Sequence, residues 1–207
     1  MTRTMNNIAF KSKIQFVDKK TFIDTANGKR ISPDNRPGAF GDEFYTITVR
    51  TCTGGGIVVP NKEAYGFHFF DSLLTNKTLA KRLNLDVLLF DNPPERAVII
   101  GSKDHHSRPY SKMNFKTIER VLEKHIDNIS VFEEHVDNFT QSNLHYNLKT
   151  DTYTILTQFV KNGKEECIKT LEDLLANFKR IKIAHGDELF IGKEKILKEM
   201  CPKIFKI

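Results

Sequence analysis

Apolar and polar residues alternate in short segments along most of the chain, and this period of two predicts β-strands with one buried face. The clearest segment lies at 44–52 (FYTITVRTC), where Thr, Val, Ile and aromatic residues dominate. Glycines at 54, 55 and 56 follow it, so we predict a glycine turn before the next strand. Further strands are predicted at 14–17, 57–59, 65–70, 96–101, 129–132, 144–148, 153–159 and 181–184.

Four other segments repeat apolar residues every three or four positions, the period of an amphipathic helix. They lie at 72–85, 114–127, 165–178 and 193–200. The segment 25–43 is rich in glycine and proline, which predicts a long loop, and long ordered loops often serve function. Because the helices do not alternate strictly with the strands, we predict an α+β fold, a layered β-sheet or β-sandwich flanked by about four helices.

Length and composition favour one globular domain over residues 1–207. Hydrophobic residues make up 39% and charged residues 28%, which excludes a disordered chain. No apolar run reaches the roughly 18 residues of a membrane span, and the N-terminal segment lacks the apolar core of a secretory signal. Three cysteines are too few for a disulfide framework, so we expect a reducing compartment such as the cytoplasm.

The net charge of +6 permits an acidic partner without requiring one. Lys and Arg residues are dispersed, and their tightest clusters are the pairs Lys19-Lys20, Lys29-Arg30 and Lys179-Arg180. The sequence has no zinc-finger spacing and no aromatic RNA-binding motif. Composition therefore argues against nucleic acid as the partner.

Cys52 is the first candidate for chemistry, because it closes a predicted strand and precedes a glycine run. Amide groups near Gly54 and Gly55 could hold an oxyanion and let a substrate carbonyl approach the backbone. His68 lies 16 residues later on the next predicted strand, where a hairpin can bring it to the cysteine. Thr46 lies six residues before Cys52, and this even offset places both on one face of a regular strand.

A polar loop after the buried strand at 96–101 is the second candidate. We predict that this loop and the loop at 25–42 border the Cys52 site and select the substrate. His105 and His106 are adjacent in the sequence, so their side chains point apart and do not bind one metal ion together. The later histidines do not show the H-x-x-x-H or H-E-x-x-H spacing of metal ligands, so we predict no metal site. The loop residues expected to contact substrate are Lys103, Asp104, His105, His106 and Arg108.

Thr46, Cys52 and His68, with glycines between the last two, resemble the catalytic core of the cysteine-dependent glutamine deamidases. This superfamily contains the chemoreceptor glutamine deamidases, the cytotoxic necrotizing factors and the bacterial lethal factor. The resemblance covers about residues 40–160 and leaves a helical extension at about 163–207. This sequence departs from the family at two places: Arg50-Thr51 precedes the cysteine, and Phe69-Phe70-Asp71 follows the histidine.

The resemblance implies a β-sandwich flanked by helices and a Cys52–His68–Thr46 triad that converts a protein glutamine to glutamate without a cofactor. It also implies a protein substrate, and either a cytoplasmic location or delivery into a host cell without a cleavable signal. Two alternatives stay open on the residues alone. The same pair could serve a protease or an acyltransferase, or Cys52 could be a small core residue of a non-enzymatic basic binding module.

Overall fold

Two β-sheets and four α-helices make up the part of the chain that the computed structural model describes, residues 11–70, 76–101, 110–135 and 140–205. The α+β layered fold predicted from the sequence is therefore confirmed. The helices are α1 (Lys19–Thr25), α2 (Asn76–Val87), α3 (Ser111–Leu122) and α4 (Leu171–Asn177), and a 3₁₀ turn spans Pro202–Ile204. The strands are β1 (Lys13–Phe16), β2 (Lys29–Ile31), β3 (Gly38–Phe40), β4 (Glu43–Val49), β5 (Thr53–Val59), β6 (Glu63–Phe69), β7 (Arg96–Gly101), β8 (Asn128–Glu134), β9 (Gln141–Asn147), β10 (Thr152–Lys161), β11 (Lys164–Cys167), β12 (Phe178–Lys182), β13 (Glu188–Ile191) and β14 (Glu194–Ile196).

Both sheets are mixed. The first sheet runs β14-β13-β1-β10-β9-β4-β2, and β11 pairs with the far end of β10. The second sheet runs β12-β8-β7-β5-β6-β3. Strand β1 is parallel to both of its neighbours, and the β2–β4 and β7–β8 pairs are also parallel, whereas the remaining pairs are antiparallel. Strands β4 and β5 follow each other in sequence and belong to different sheets, so the chain crosses between the sheets at residues 50–52.

The second sheet is buried on both faces. Val98 and Ile100 of β7 share the main core with side chains of the first sheet. Ala97 and Ile99, from the alternate positions of the same strand, pack with residues of α2 and α3. This arrangement explains why β7 reads as a continuous apolar run rather than an alternating one.

Helices cover the outer faces of both sheets. Helix α3 directs Phe115, Ile118 and Leu122 into the core beneath the second sheet. On the other side of the molecule, Phe22 of α1 packs with Leu156 of the first sheet. Among the helices of the described ranges, none has the length and apolar character needed to cross a membrane.

The predicted glycine turn at 54–56 is wrong, because these residues lie in β5 at the centre of the second sheet. Their lack of side chains admits rings from the first sheet. A Cβ atom on Gly56 would lie 2.7 Å from the ring of Phe44 and 2.9 Å from that of Tyr153. A Cβ atom on Gly66 would lie 2.4 Å from Phe44. The glycines therefore make close packing between the sheets possible.

The C-terminal region is mainly β-structure, so the predicted helices at 165–178 and 193–200 are wrong except for α4. Strand β11 folds back on β10 through Asn162 and Gly163, both with positive φ angles of 53° and 74°. An Asn-Gly pair is the strongest short-range hairpin signal, and it was available in the sequence. Gly192, with a φ of 59°, makes the second turn between β13 and β14.

Candidate active site

A pocket of about 250 Å³ contains both Cys52 and His68. We call it the Cys52 pocket. The structure thus brings together the two side chains that the sequence singled out for acid–base and nucleophilic chemistry. The other lining residues come from residues 30–34, from β4 and from the residue that follows β6: Arg30, Ile31, Ser32, Pro33, Asp34, Ile47, Thr48 and Phe70.

Cys52 lies on the crossing between the two sheets, in a bend at residues 50–52 that we call the Cys52 turn. Its thiol is reduced and the residue is 8% exposed. Strand β5 begins at the next residue, and its register pairs Gly54 with His68. Cys52 precedes Gly54 by two residues, so it lies at the end of the β5–β6 pair where His68 also lies.

Thr46 fixes the orientation of the His68 ring. Its hydroxyl donates to the carbonyl oxygen of Ile31 at 3.0 Å, and His68 Nδ1 lies 2.6 Å from Thr46 Oγ1. A hydroxyl has one proton, so Oγ1 of Thr46 accepts its second hydrogen bond from Nδ1–H. The unprotonated nitrogen of His68 is therefore Nε2, which is buried and has no hydrogen-bond partner among the described residues. This tautomer leaves Nε2 able to take a proton.

Burial lowers the pKa of His68 to about 4, because the ring is only 2% exposed and the charged form loses its hydration. At neutral pH the ring is uncharged, as a general base must be before it accepts a proton. Thr46 orients the His68 ring in the way that the third member of a nucleophile–base–orienter triad orients the base.

The alignment of Thr46 does not come from the regular strand that the sequence analysis assumed. The register of β4 with β9 shifts between Thr46 and Val49, and Thr48 has a φ of +60°. This bulge places Thr46 and Val49 on the same face despite their odd separation. Both side chains approach Gly54, where a Cβ atom would lie 2.8 Å from Val49 and 3.5 Å from Thr46.

Gly54 and Gly55 do not form the predicted oxyanion site. Each is paired on both sides, with β6 and with β7. This pairing commits their backbone N–H groups to the sheet ladder. The space above Gly55 is also closed, because a Cβ atom there would lie 2.4 Å from the carbonyl oxygen of Val98. Gly54 lets the two sheets pack closely beside His68, whereas Gly55 makes room for the Phe67 ring on the opposite face of β5.

The predicted loop at 25–42 does border the Cys52 pocket, through residues 30–34. It is not a simple loop, because it contains β2 and β3 and a tight turn in which Ser32 and Arg36 exchange backbone hydrogen bonds of 2.9 Å. The residues of the second predicted loop, Lys103, Asp104, His105, His106 and Arg108, lie outside the described residues.

Sequence reasoning placed the loop at 25–42 beside the site, but it did not single out Arg30, Asp34 or Thr48 as residues of the pocket wall. Arg30 and Asp34 occur in a segment whose glycines and prolines indicated a loop without indicating which of its side chains line the pocket. The pairing of β2 with β4 that brings this segment to the site is parallel, and no local signal predicts such pairing. Thr48 carries no sequence signal for its positive φ, since β-branched residues avoid that conformation.

Cys167 and Cys201 lie away from this site. Cys167 is at the end of β11, where burial raises the pKa of its thiol. It lines a larger cavity of about 630 Å³ whose described lining contains no histidine. In the described residues, no group of three or more His, Cys, Asp or Glu side chains is arranged to hold a metal ion.

No protein-family model matches the chain, and no curated protein matches it significantly.

The burial of neutral His68 makes stability depend on pH. Its pKa is near 6.5 when unfolded and about 4 when folded, so between these values the unfolded chain binds a proton that the folded protein does not. His68 should therefore lower the free energy of unfolding by about 3 kcal/mol as pH drops from 7 to 4. Urea unfolding at several pH values measures this.

The contribution of His68 is isolated by a variant, because Asp187, whose pKa burial raises to about 6, acts in the opposite direction over the same window. His68→Gln should remove the His68 part of the slope. His185→Gln, at an exposed position, is the matched control and should leave the slope as in the wild type. Equal slopes for all three proteins would contradict a buried neutral His68.

Proposed function

We propose that the protein is a cysteine-dependent hydrolase that deamidates a glutamine side chain of a protein substrate. The observation that carries the proposal is the hydrogen-bond chain Ile31–Thr46–His68, which leaves Nε2 unprotonated in the pocket that also contains Cys52. The glutamine deamidases that the sequence resembles use the same three residue types. The pocket volume of about 250 Å³ is large enough for one glutamine side chain.

In this mechanism His68 Nε2 takes the proton of the Cys52 thiol, and the thiolate attacks the carboxamide carbon. The tetrahedral intermediate collapses as the imidazolium gives its proton to the departing nitrogen, so ammonia leaves and a thioester remains. Water then gives a proton to Nε2 and attacks the thioester. The products are glutamate and the free thiol, which recovers its proton from His68. Thr46 holds Nδ1–H throughout and thereby stabilises the imidazolium in its productive orientation.

The reactivity of Cys52 tests the pair directly. Transfer of the Cys52 proton to His68 leaves the number of bound protons unchanged, so attack by this route does not depend on pH while the thiol is protonated and the ring is neutral. If this route carries the reaction, alkylation by iodoacetamide should be nearly independent of pH between about 5 and 8. In His68→Asn the thiol has lost its base, and the rate should rise about tenfold per pH unit over the same range. Cys201 in the same molecule is the reference thiol, and peptide mapping reports both rates.

Substitutions at Thr46 give a matched pair for the orienting role. Thr46→Ser keeps a hydroxyl that accepts from Nδ1–H and should keep the flat pH profile. Thr46→Val has the same shape without the hydroxyl, and should convert the profile to that of His68→Asn. Identical profiles for the two variants would refute the relay.

The reaction type is read from product mass. Incubation with a library of glutamine-containing peptides should produce a mass increase of about 1 Da, the difference between a carboxamide and a carboxylate, together with free ammonia. Cleaved peptides would assign the same pair to a protease, and acylated amines would assign it to an acyltransferase. An inert Cys52 with no product would leave the core-residue alternative, a non-enzymatic binding module.

A further inference from the structure

Thr48 is a strained residue at the wall of the Cys52 pocket. Its φ of +60° lies in the left-handed region, which a β-branched side chain rarely adopts. Such a conformation persists only where surrounding contacts hold it, and strained residues concentrate at functional sites. The contact that holds it is therefore informative.

Asn143 of β9 supplies that contact. Its Oδ1 accepts the backbone N–H of Thr48 at 2.8 Å, and the residue is only 7% exposed. The bond coincides with the register shift between Thr46 and Val49. Asn143 therefore holds the residue with positive φ at which the register of β4 with β9 shifts.

A row of side-chain amides sets the direction in which Asn143 points. Glu165 can only accept, so Gln158 Nε2 donates to it at 2.5 Å and Gln158 Oε1 faces away from it. That oxygen accepts from Gln141 Nε2 at 3.0 Å and from Asn143 Nδ2 at 3.4 Å. Both amide oxygens then face the end of β4. We call Gln141, Asn143 and Gln158 the amide ladder.

The ladder binds the chain on the approach to Cys52 at two points. Asn143 holds Thr48, and Gln141 Oε1 accepts from Arg50 Nε and Nη2 at 3.2 and 3.1 Å. Arg50 is the first residue of the Cys52 turn. The nucleophile therefore lies on a crossing whose path is fixed by hydrogen bonds from the neighbouring strand.

We propose that Asn143 is a positioning residue, which acts through the left-handed conformation of Thr48 to align the Cys52 turn with His68. This inference rests on the proposed function and adds to it the element that holds the nucleophile in place. If the Cys52 turn is no longer held, the thiol becomes more accessible to reagents, and its alkylation rate rises with pH as that of an ordinary cysteine does. If the turn is aligned, the thiol gives its proton to His68, and the rate is independent of pH.

The test is the pH profile of Cys52 alkylation by iodoacetamide in four proteins. We expect Asn143→Ala to lose the flat profile and react about tenfold more slowly than wild type at pH 6, because one buried hydrogen bond is lost. Thr48→Gly should stay flat, since glycine adopts a positive φ without help. The double variant Asn143→Ala/Thr48→Gly should recover the flat profile. Asn147→Ala, on the same strand and bonded instead to Glu43, is the control and should match wild type.

Each outcome has one consequence. A flat profile in Asn143→Ala, with a wild-type profile that depends on His68, would overturn the positioning role and leave the proposed function standing. Failure of Thr48→Gly to restore Asn143→Ala would also overturn it, because the effect would not pass through Thr48. A wild-type rate that does not depend on His68 would overturn the proposed function, and the positioning role would fall with it.

Discussion

Replacing Cys52 by serine is expected to lower deamidation by a factor of about 10³ or more, while the protein still folds. The hydroxyl is far less acidic than the thiol, so His68 deprotonates it to a far smaller extent. Ammonia release from a glutamine-containing peptide measures the loss. Because Cys52 is 8% exposed at the edge of the main core, the polar replacement should cost only about 1–2 kcal/mol of stability.

Two controls separate chemistry from folding. Cys52→Ala removes the nucleophile without burying a hydroxyl, so it should be equally inactive and at least as stable as Cys52→Ser. Cys201→Ser changes a cysteine in a different part of the chain and should keep full activity. A Cys52→Ser variant that retained a tenth of the wild-type rate would exclude Cys52 as the nucleophile.

The strands of this fold could be predicted from the sequence because packing between two sheets produces a clear pattern of apolar and polar residues along them. Segment 96–101 is apolar throughout since both faces of β7 are buried, and 44–49 alternates because β4 has one covered face. The glycine run at 54–56 was misassigned for a physical reason. Glycine has low strand propensity, and the feature that places it in β5 is the approach of the Phe44 and Tyr153 rings from another sheet.

The candidate site shows the same division between local and long-range information. The proximity of Cys52 and His68 was predicted from a hairpin, and a hairpin of β5 and β6 does carry His68 to the site. The alignment of Thr46 was predicted from strand parity, whereas the structure achieves it through a bulge at Thr48. The contact that sustains this bulge comes from Asn143, 95 residues away, which no local pattern indicates.

The free energy of unfolding should fall by about 3–5 kcal/mol in Asp187→Ala, the largest loss of stability that we predict. Asp187 lies between β12 and β13, where the chain passes from the second sheet to the first. Its carboxylate accepts a hydrogen bond from Arg96 Nη1 and another from Ser130 Oγ at 2.7 Å. The same Ser130 oxygen accepts the backbone N–H of Ala184 at 2.9 Å, so one buried cluster ties this crossing to β7 and β8.

The size of the effect follows from burial. The side chains of Arg96 and Asp187 are 7% and 1% exposed, so removing the carboxylate leaves a guanidinium in the core without its counter-ion. Chemical denaturation measures the loss. Glu188, the residue after Asp187, forms a solvent-exposed ion pair with Lys195. Glu188→Ala is therefore the matched control and should cost no more than about 1 kcal/mol. The double variant Arg96→Met/Asp187→Ala should recover much of the stability, because it removes the stranded charge as well. If Asp187→Ala cost no more than Glu188→Ala, the buried pair would not be what holds the crossing between the sheets.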